Sequence, residues 1–390
     1  MTTPLSVLDL SPIPSGASAR DALRNTLDLA RRAEELGYHR YWLAEHHLAA
    51  GVASSAPAVL IGLVAAATSR IRVGSGAVQL GHQTALAVVE QFGLIEALHP
   101  GRVDLGLGRS GHRDRAPGET PVAPPEPVSH ERRVVDGLLI PPPFDFRPLI
   151  ASPWLTFQAS LLKQPGGRSP AFPDQVDDIL AFLRGEYRAP DGRPVHAVPG
   201  EGADVEVWVL GSSGGESARV AGERGLPFAA NYHVSPASVL EAVAAYREAF
   251  KPSEELARPY VIVSADVLVA PDDATAAELA EPYGLWVRDI RTGAGAPPYP
   301  TPEQARAHSW TEEERALVAD RIDTRFVGTP DRVAERLDVL RRVTGADELL
   351  VTTITHDHAD RVRSYELLAA AWRERRRRHE GDARAEGAAA

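Results

Sequence analysis

The chain has 390 residues, of which 44% are hydrophobic, so it is long enough to bury a large core. Its 53 acidic residues outnumber the 42 basic ones and give a net charge of −11, which disfavours nucleic acid and anionic membrane surfaces as partners. The absence of cysteine excludes disulfides and thiolate sites. No secretion signal and no apolar run of about 18 residues is visible, so we expect a cytoplasmic protein.

Short apolar segments alternate with helical ones in the first part of the chain. The apolar segments predict buried strands, and helical spacing such as that of Leu23, Leu27 and Ala30 follows them. Near-continuous apolar strands favour a parallel sheet with helices outside it. The first four predicted strands cover residues 5–10, 38–44, 70–80 and 102–108.

The same alternation resumes after residue 204. Eight strand–helix units in one chain favour closure into a (β/α)8 TIM-type barrel over an open doubly wound sheet. No G-x-G-x-x-G follows the first strand, as a dinucleotide-binding half would prefer. We therefore predict a single α/β barrel over residues 1–380. The last four predicted strands cover residues 205–211, 226–233, 260–270 and 347–355.

Three stretches interrupt the alternation of strands and helices. Residues 111–203, between strands four and five, contain dense proline and are too long for a plain connection. We expect them to form an inserted lid or subdomain, with one clear helix at 174–185. Residues 291–310, between strands seven and eight, also look irregular. Residues 381–390 are predicted to form a disordered tail.

Glu45, His46 and His47 directly follow the second predicted strand. In a TIM-type barrel the C-terminal ends of the strands carry the chemistry, and a histidine there can act as a general acid or base near neutral pH. The residues alone leave three interpretations open. The triplet can be an acid/base site, a metal site, or a hydrogen-bonded polar cluster at a strand end.

A metal site needs several ligands that converge on one point. Candidate ligands are His82, His233 and the HDH segment at 356–358. Barrel metallohydrolases of the amidohydrolase type carry His-x-His on the first strand, which here is LSVLDL and contains no histidine. We therefore predict no bound metal and favour an acid/base site or a polar cluster over a metallohydrolase.

Three further segments have the composition of a binding site. Glycines within strand three, in VGSGAV (73–78), indicate a bulge or a close approach of the backbone to another group. Arg109 leaves strand four beside Gly108, where an arginine can bind an anion. The segment GSSGGES (211–217) opens a helix after strand five and offers N–H groups and hydroxyls to an anion. A surface arginine and an ordinary serine N-cap are the simpler interpretations.

Five segments in the same order resemble the bacterial-luciferase-like flavin-dependent monooxygenases. The resemblance covers roughly residues 1–110 and 204–372, and we can place residues 111–203 in no known family. It implies a TIM-type barrel that binds reduced FMN, supplied by a separate reductase, and adds one atom of dioxygen to a small organic substrate such as an aldehyde or ketone. The segments are GYHRYWLAEHH, ATSRIRVGSGAVQL, VVEQFGLIEALHPGRVDLGLGR, VWVLGSSGGESARVAGERGLPF and RFVGTPDRVAERLDVLRRVTGADELLV.

The resemblance also implies catalytic residues. His46 matches the histidine that acts on the flavin–oxygen adduct or its substrate, and Glu45 and His47 would support its orientation. The Gly76-Ala77 bond matches a non-proline cis peptide that often lies under the isoalloxazine ring in the family.

Cofactor-binding residues follow from the same resemblance. Gly108 stands where luciferases have a cysteine and would leave room beside the reactive flavin carbon. Arg109 matches the arginine that binds the FMN phosphate. Ser212, Ser213 and Gly214 align with the phosphate loop of the family.

Two related functions and one assembly also follow from the resemblance. A deazaflavin-dependent hydride-transfer oxidoreductase has a similar barrel, although the Glu-His-His pattern leans toward the FMN branch. The non-catalytic flavin-binding members have shortened, broken barrels, against which eight readable strands argue. Family members often dimerise through helices after the early strands, here 54–69 and 84–100, so we expect a homodimer.

Overall fold

The computed structural model describes residues 3–109, 131–150, 152–163 and 167–389. Parallel strands close into an eight-stranded barrel, which confirms the predicted (β/α)8 TIM-type fold. In the described residues the strands are β1 (Leu5–Asp9), β2 (Arg40–Leu43), β3 (Arg72–Ser75), β4 (Val78–Gln79), β5 (Val103–Gly108), β6 (Arg133–Val135), β7 (Leu138–Ile140), β8 (Glu206–Gly211), β9 (Phe228–Asn231), β10 (Val261–Val269), β11 (Phe326–Gly328) and β12 (Glu348–Thr352).

The order around the barrel is β1, β2, β3, β5, β8, β9, β10 and β12, and β12 pairs back to β1. The short strand β4 follows β3 and also pairs with β5, while β11 adds to β10 outside the ring. Each of the eight predicted strands contains one barrel strand. The long insertion lies between β5 and β8, as the sequence predicts.

Helices surround the barrel, and local capping sets several of their ends. Ser18 and Asp21 form a capping box at the start of the first helix, and Gly37 ends it in a left-handed conformation. The α-helices of the described residues are α1 (Ala19–Leu36), α2 (Pro57–Ala67), α3 (Ala85–Leu98), α4 (Arg147–Ile150), α5 (Pro153–Leu161), α6 (Phe172–Leu183), α7 (Glu216–Glu223), α8 (Val239–Ala249), α9 (Asp273–Asp289), α10 (Pro302–Ala307), α11 (Glu312–Asp323), α12 (Pro330–Thr344) and α13 (His358–Ala389).

The barrel interior is a packed apolar core beneath its C-terminal end. Successive side chains of a strand face opposite sides of the sheet, so each strand contributes side chains both to the barrel interior and to the layer beneath the helices. Trp42 and Trp208 meet in the interior edge-to-face, with ring centroids 5.2 Å apart. Their neighbours Tyr41 and Val209 belong to the apolar layer between strands and helices. The interior therefore supports the strand ends above it rather than forming a channel.

A buried ionic cluster closes the opposite end of the barrel. Arg40 Nη1 lies 2.9 Å from Asp104 Oδ2 and 3.0 Å from Glu206 Oε2, and Arg40 Nε lies 3.2 Å from Glu348 Oε2. Burial alone would lower the pKa of Arg40, but the three carboxylates raise it. These residues occupy the first or second positions of β2, β5, β8 and β12, so the cluster joins strands far from the reactive face.

The insertion contains more regular structure than the one helix that we expected. Its described part holds the predicted helix as α6, two further helices, α4 and α5, and the hairpin of β6 and β7. The hairpin turns at Asp136 and Gly137, which both have positive φ, a signature of an Asp-Gly turn. Residues 111–130 of the predicted lid lie outside the described residues.

Two other expectations about irregular structure need correction. Residues 291–310 contain α10, which begins at a Thr301–Gln304 capping box, so this stretch is only partly irregular. The last helix, α13, continues to Ala389, so the structure has helix at residues 381–389, where we expected disorder. Among the described residues, none of the helices combines the length and the apolar character that crossing a bilayer requires.

Candidate active site

A cavity of about 530 Å³ opens at the C-terminal ends of the barrel strands, within the usual size of small-molecule sites. Its floor is apolar and includes Leu8, Leu210 and Leu350 from three strands. Polar groups from the strand ends and the following loops surround that floor. They include Glu45, His46, Gln79, Arg109, Ser212, Ser213, Asn231, His233, Ser264, Asp266, Arg321 and Thr352.

The segment after β2 is held by hydrogen bonds of Glu45, whose side chain is buried. Glu45 Oε1 is 2.7 Å from His47 Nε2, and Glu45 Oε2 accepts from the Gln79 backbone N–H at 2.8 Å. The Gln79 side-chain amide donates in turn to the Glu45 carbonyl at 2.7 Å. Glu45 therefore couples the loop after β2 to the end of β4.

His46 lies in the cavity with one ring nitrogen unused. Its backbone N–H donates to the Ser54 carbonyl at 2.9 Å, whereas its buried Nδ1 has no hydrogen-bond partner among the described residues. Burial, together with the neighbouring His47, lowers the pKa of His46 to about 4. The imidazole is therefore neutral near pH 7 and able to accept a proton or a hydrogen bond from a ligand.

Small residues form the wall next to His46. The Gly76–Ala77 bond is cis, as the family resemblance implies, and both residues line the cavity. A Cβ atom at Gly108 would lie 3.1 Å from the Ala77 Cβ atom, closer than most such contacts. Glycine at position 108 thus keeps this wall flat and open.

The anion-binding candidates lie across the cavity, at the ends of β5 and β8. Arg109, Ser212 and Ser213 all line it, and Arg109 Nη1 is 3.2 Å from Glu216 Oε2. Both side chains of this ion pair are largely exposed, at 49% and 40%. An exposed pair contributes only about 0–1 kcal/mol, so Arg109 is free to exchange Glu216 for a stronger anion.

Eight of the ten residues predicted for the site line this one cavity. His47 and Gly214 do not. His47 instead contacts Glu45 and lies with its ring centroid 5.8 Å from that of His82. Gly214 packs near Glu241, whose Oε1 would lie 2.9 Å from a Cβ at position 214. His47 thus reaches the cavity through Glu45, and Gly214 lies next to the lining residues Ser212 and Ser213.

A second histidine reaches the cavity from β9. His233 Nδ1 lies 2.7 Å from Ser264 Oγ, whose own hydroxyl donates to the Ala230 carbonyl at 3.3 Å. Burial lowers the pKa of His233 to about 4, and nearby His46 acts in the same direction. The sequence suggests His233 only as a candidate metal ligand. Its position just after a barrel strand, however, indicates an active-site role.

The cavity also contains a buried arginine on α11. Arg321 Nε and Nη2 donate to Tyr283 Oη at 3.1 and 2.5 Å, and Nη2 is 3.3 Å from Asp266 Oδ2. Tyr283 Oη donates to the same carboxylate oxygen. Sequence reasoning did not identify Arg321 or Asp266, because Arg321 belongs to a helix with the composition of a surface helix.

The histidines considered as metal ligands do not converge. His82 Nε2 is 3.2 Å from Gln79 Oε1, His356 Nε2 is 3.0 Å from the Ser15 carbonyl, and His358 Nε2 is 2.9 Å from Asp28 Oδ2. Within the described ranges, no group of three or more His, Asp or Glu residues is arranged to hold a metal ion.

A closed barrel with a polar cavity at the C-terminal ends of its strands defines the class of the protein as a TIM-barrel small-molecule enzyme. The sequence model of the luciferase-like monooxygenase family matches residues 3–130 and 181–348, so it includes both ends of the stretch 111–203, which we had placed in no family. The chain therefore belongs to the luciferase-like monooxygenase family.

Individual relatives support the same assignment. A luciferase-like monooxygenase of Escherichia coli strain K12 is 37% identical over 366 residues, which are 94% of this chain and 96% of the relative. The crystal structure of apo-MsnO8 has 31% identity and a TM-score of 0.75, and the match covers 95% of this chain and 98% of that one. An F420-dependent secondary alcohol dehydrogenase, at 13% identity and a TM-score of 0.59, covers 95% and 99% and shares the fold alone.

Proposed function

We propose that the protein is a monooxygenase that uses reduced FMN and dioxygen to oxygenate a small organic substrate. Reduced FMN comes from a separate flavin reductase, and when bound it supplies two electrons. One oxygen atom enters the substrate, and the other leaves as water. One observation carries the proposal: an anion site of Arg109, Ser212 and Ser213 shares a single cavity with His46.

The donors at the ends of β5 and β8 fit a phosphate group. Arg109 supplies a guanidinium, Ser212 and Ser213 supply hydroxyls, and α7 begins three residues later with its positive dipole end. The Ser212 carbonyl accepts a hydrogen bond from Ser238 Oγ, which holds this turn against the next strand–helix connection. In the proposed complex Arg109 leaves Glu216 and pairs with the phosphate.

The opposite wall fits a flat ring system. Gly76, Ala77 and Gly108 present backbone and one methyl group to the cavity, so a planar ligand can approach closely. Gly108 keeps this surface free, because any side chain there would crowd Ala77. The phosphate donors and this wall together match the two ends of a flavin mononucleotide.

His46 transfers a proton at the reacting centre in this proposal. Its imidazole is neutral at pH 7 and its Nδ1 has no partner within the described ranges, so it can accept a proton and return it to the departing oxygen atom. Glu45 fixes the loop that carries it through Gln79, and His47 reinforces Glu45. Glu45 and His47 are therefore positioning residues.

The insertion serves as a cover that limits water in the cavity. Its hairpin contacts the residue after β9, Tyr232, whose Oη donates to the Leu139 carbonyl at 2.7 Å. Ser169 Oγ donates to the Gly81 carbonyl at 2.7 Å, and the Phe144 ring lies 3.8 Å from Arg291 Cζ. These contacts attach the insertion to the segments after β4, β9 and α9. As a lid it would exclude water, which protects reactive oxygen intermediates from side reactions.

We also propose a homodimer formed through α2 and α3. These adjacent helices expose four large apolar side chains: Val59 at 67%, Leu63 at 53%, Leu94 at 55% and Leu98 at 69%. A second copy of the chain that covered them would gain roughly 25 cal/mol for each Å² of apolar surface removed from water.

Cofactor titration distinguishes the proposed monooxygenase from a hydride-transfer enzyme and from a non-catalytic binding protein. Purified protein is titrated with reduced FMN and with reduced deazaflavin under anaerobic conditions, followed by admission of dioxygen in the presence of candidate substrates. We expect tighter binding of FMN and oxygen-dependent turnover. Preference for the deazaflavin with oxygen-independent turnover would identify a hydride-transfer enzyme instead. FMN binding without turnover of any substrate would identify a binding protein.

A further inference from the structure

One wall of the cavity carries an excess positive charge. Arg321 lines the cavity, and no described residue accepts a hydrogen bond from its Nη1. Arg325, also buried, stacks on the Tyr283 ring with its Cζ 3.8 Å from the centroid. Arg325 Nη1 donates only to the Ala280 carbonyl at 3.3 Å, and its Nε has no partner among the described residues.

The carboxylates near these two guanidinium groups do not balance them. Asp266 faces Arg321 at 3.3 Å and neutralises one positive charge. Asp320 also lies near Arg321, but it forms a bidentate pair with Arg291 at 2.5 and 2.8 Å. Among the residues that the structure describes, three buried arginines thus face two carboxylates, and one positive charge remains. Buried charges in proteins are normally paired, so this surplus favours an anionic ligand.

A buried hydroxyl lies next to this surplus. Thr352 lines the cavity, is 1% exposed, and its Oγ1 has no hydrogen-bond partner among the described residues. Thr352 is the register partner of Asp266 across β10 and β12, so the two side chains stand on the same face of adjacent strands. An unsatisfied buried hydroxyl costs stability unless a ligand completes its hydrogen bonding.

An anion bound beside Arg321 and Thr352 would be distinct from the cofactor phosphate. Arg109 and the Ser212 turn follow β5 and β8, whereas Asp266 and Thr352 belong to β10 and β12, further around the barrel. His233, between the two regions on the cavity wall, is neutral near pH 7 and adds no charge. The cavity thus offers two separate anion sites.

We propose that Arg321 and Thr352 form a subsite for a carboxylate group of the substrate, so that the enzyme prefers organic acids to their neutral analogues. The identification of the bound acid as a substrate rests on the proposed monooxygenase function, whereas the subsite rests on the charges of the cavity. Arg321 Nη1 and Thr352 Oγ1 would each donate to the carboxylate, with the surplus charge of Arg325 behind them. The rest of the substrate would extend over the apolar floor toward His46.

Calorimetric titration of acid–amide pairs tests the subsite without requiring turnover. The probes are hexanoate with hexanamide, phenylacetate with phenylacetamide, and 3-(methylthio)propanoate with its amide, added to protein with and without FMN. We expect each acid to bind about tenfold more tightly than its amide, the effect of a charged hydrogen bond. Equal binding of acids and amides, or no measurable binding of any acid, would overturn the proposal.

Variants assign the preference to the named residues. Arg321→Gln should abolish the acid preference, Arg321→Lys should keep part of it, and Thr352→Val should reduce it severalfold. Arg332→Gln, which neutralises an exposed arginine on α12, is the matched control and should leave it unchanged. An undiminished preference in Arg321→Gln and Thr352→Val would overturn the assignment. If Arg321→Gln does not fold, the acid preference of Thr352→Val and that of the wild-type protein still test the proposal.

Two controls separate this subsite from the cofactor site and from the proposed function. Riboflavin differs from FMN only in lacking the phosphate. Because we do not expect Arg321 to bind that phosphate, any loss of affinity in Arg321→Gln should be the same for FMN and for riboflavin. A selective loss of FMN affinity would place the phosphate at Arg321 and overturn the subsite. If wild-type protein binds acids but no flavin, the proposed function fails while the carboxylate subsite stands.

Discussion

Glu45 and Gln79 hold each other through two reciprocal hydrogen bonds at the edge of the cavity. The Gln79 backbone N–H donates to Glu45 Oε2 at 2.8 Å, and Gln79 Nε2 donates to the Glu45 carbonyl at 2.7 Å. Glu45 follows β2, and Gln79 ends β4. The segment that carries His46 is therefore fixed against the wall that contains the cis peptide.

Glu45→Gln should weaken catalysis without emptying the cofactor site. The variant replaces one carboxylate oxygen by an NH2 group and removes the charge, so it cannot accept from both the Gln79 N–H and a protonated His47 Nε2. Loss of a bond to a buried charged group costs about 1.5–3 kcal/mol, and we expect turnover to fall at least tenfold. Reductase-coupled product formation and FMN titration measure the two properties. Glu254→Gln, at an exposed position, is the control.

His46→Ala should keep FMN binding and lose oxygenation. General acid–base catalysis contributes about 10²–10⁴-fold, so product formation should fall by at least about 100-fold while FMN affinity changes little. Coupled assays at saturating FMN measure the loss. Oxygenation at the wild-type rate would end the assignment of His46 as the proton-transfer residue.

Acid should destabilise the protein through His46 and His233. Burial lowers both pKa values from 6.5 to about 4. Because the folded pKa lies below the unfolded one, the unfolded chain binds more protons between these values. The free energy of unfolding therefore falls as the pH drops from about 6.5 to 4, by up to about 1.4 kcal/mol per pH unit for each histidine.

Urea titrations at several pH values measure this dependence. The double variant His46→Asn/His233→Asn should lose stability less steeply over the same pH window, because neither substituted side chain binds a proton there. An equally steep loss in the double variant would show that groups other than these two histidines cause the acid sensitivity in this window.

Arg109→Gln should reduce the affinity for FMN far more than the affinity for riboflavin. The guanidinium is expected to pair with the phosphate, so the ratio of the two affinities should fall by about tenfold or more. Glu216→Gln should raise FMN affinity, because it frees Arg109 and removes a repelling carboxylate. Flavin fluorescence titrations give both values. Equal losses for FMN and riboflavin would place the phosphate elsewhere.

Leu94→Glu combined with Leu98→Glu should dissociate the proposed dimer. Both leucines are more than half exposed on α3, and buried carboxylates across an apolar interface are strongly unfavourable. Sedimentation velocity should change from a dimer to a monomer. Leu161→Glu places one such charge on a similarly exposed leucine of α5 and should leave the dimer intact. A monomeric wild type would contradict the proposal.

The sequence predicts most of the barrel because its strands are nearly continuous apolar runs. The positions of Glu45 and Arg109 then follow from one rule, that residues after a strand reach the C-terminal face. The same rule would have identified His233, which follows β9. The hairpin in the insertion was also readable, since Asp136-Gly137 is a two-residue turn signal between apolar residues.

Arg321 and Asp266 could not be predicted in this way. The helix α11 has three glutamates in its first turn and two arginines, the composition of a solvated surface. Arg321 is buried only because Asp266, 55 residues earlier, and Tyr283 meet it in the folded chain. Pairing of distant charges depends on the tertiary arrangement, which helical periodicity does not contain.

Incorporation of isotopically labelled oxygen tests the central claim most directly. The protein, a flavin reductase with NADH, and FMN are incubated under ¹⁸O₂ with a panel of thioethers, aldehydes and ketones, each in acidic and neutral form. We predict FMN-dependent products with one labelled oxygen atom, formed by wild-type protein and lost in His46→Ala. Products without the label, or turnover that needs a deazaflavin and proceeds without dioxygen, would contradict it.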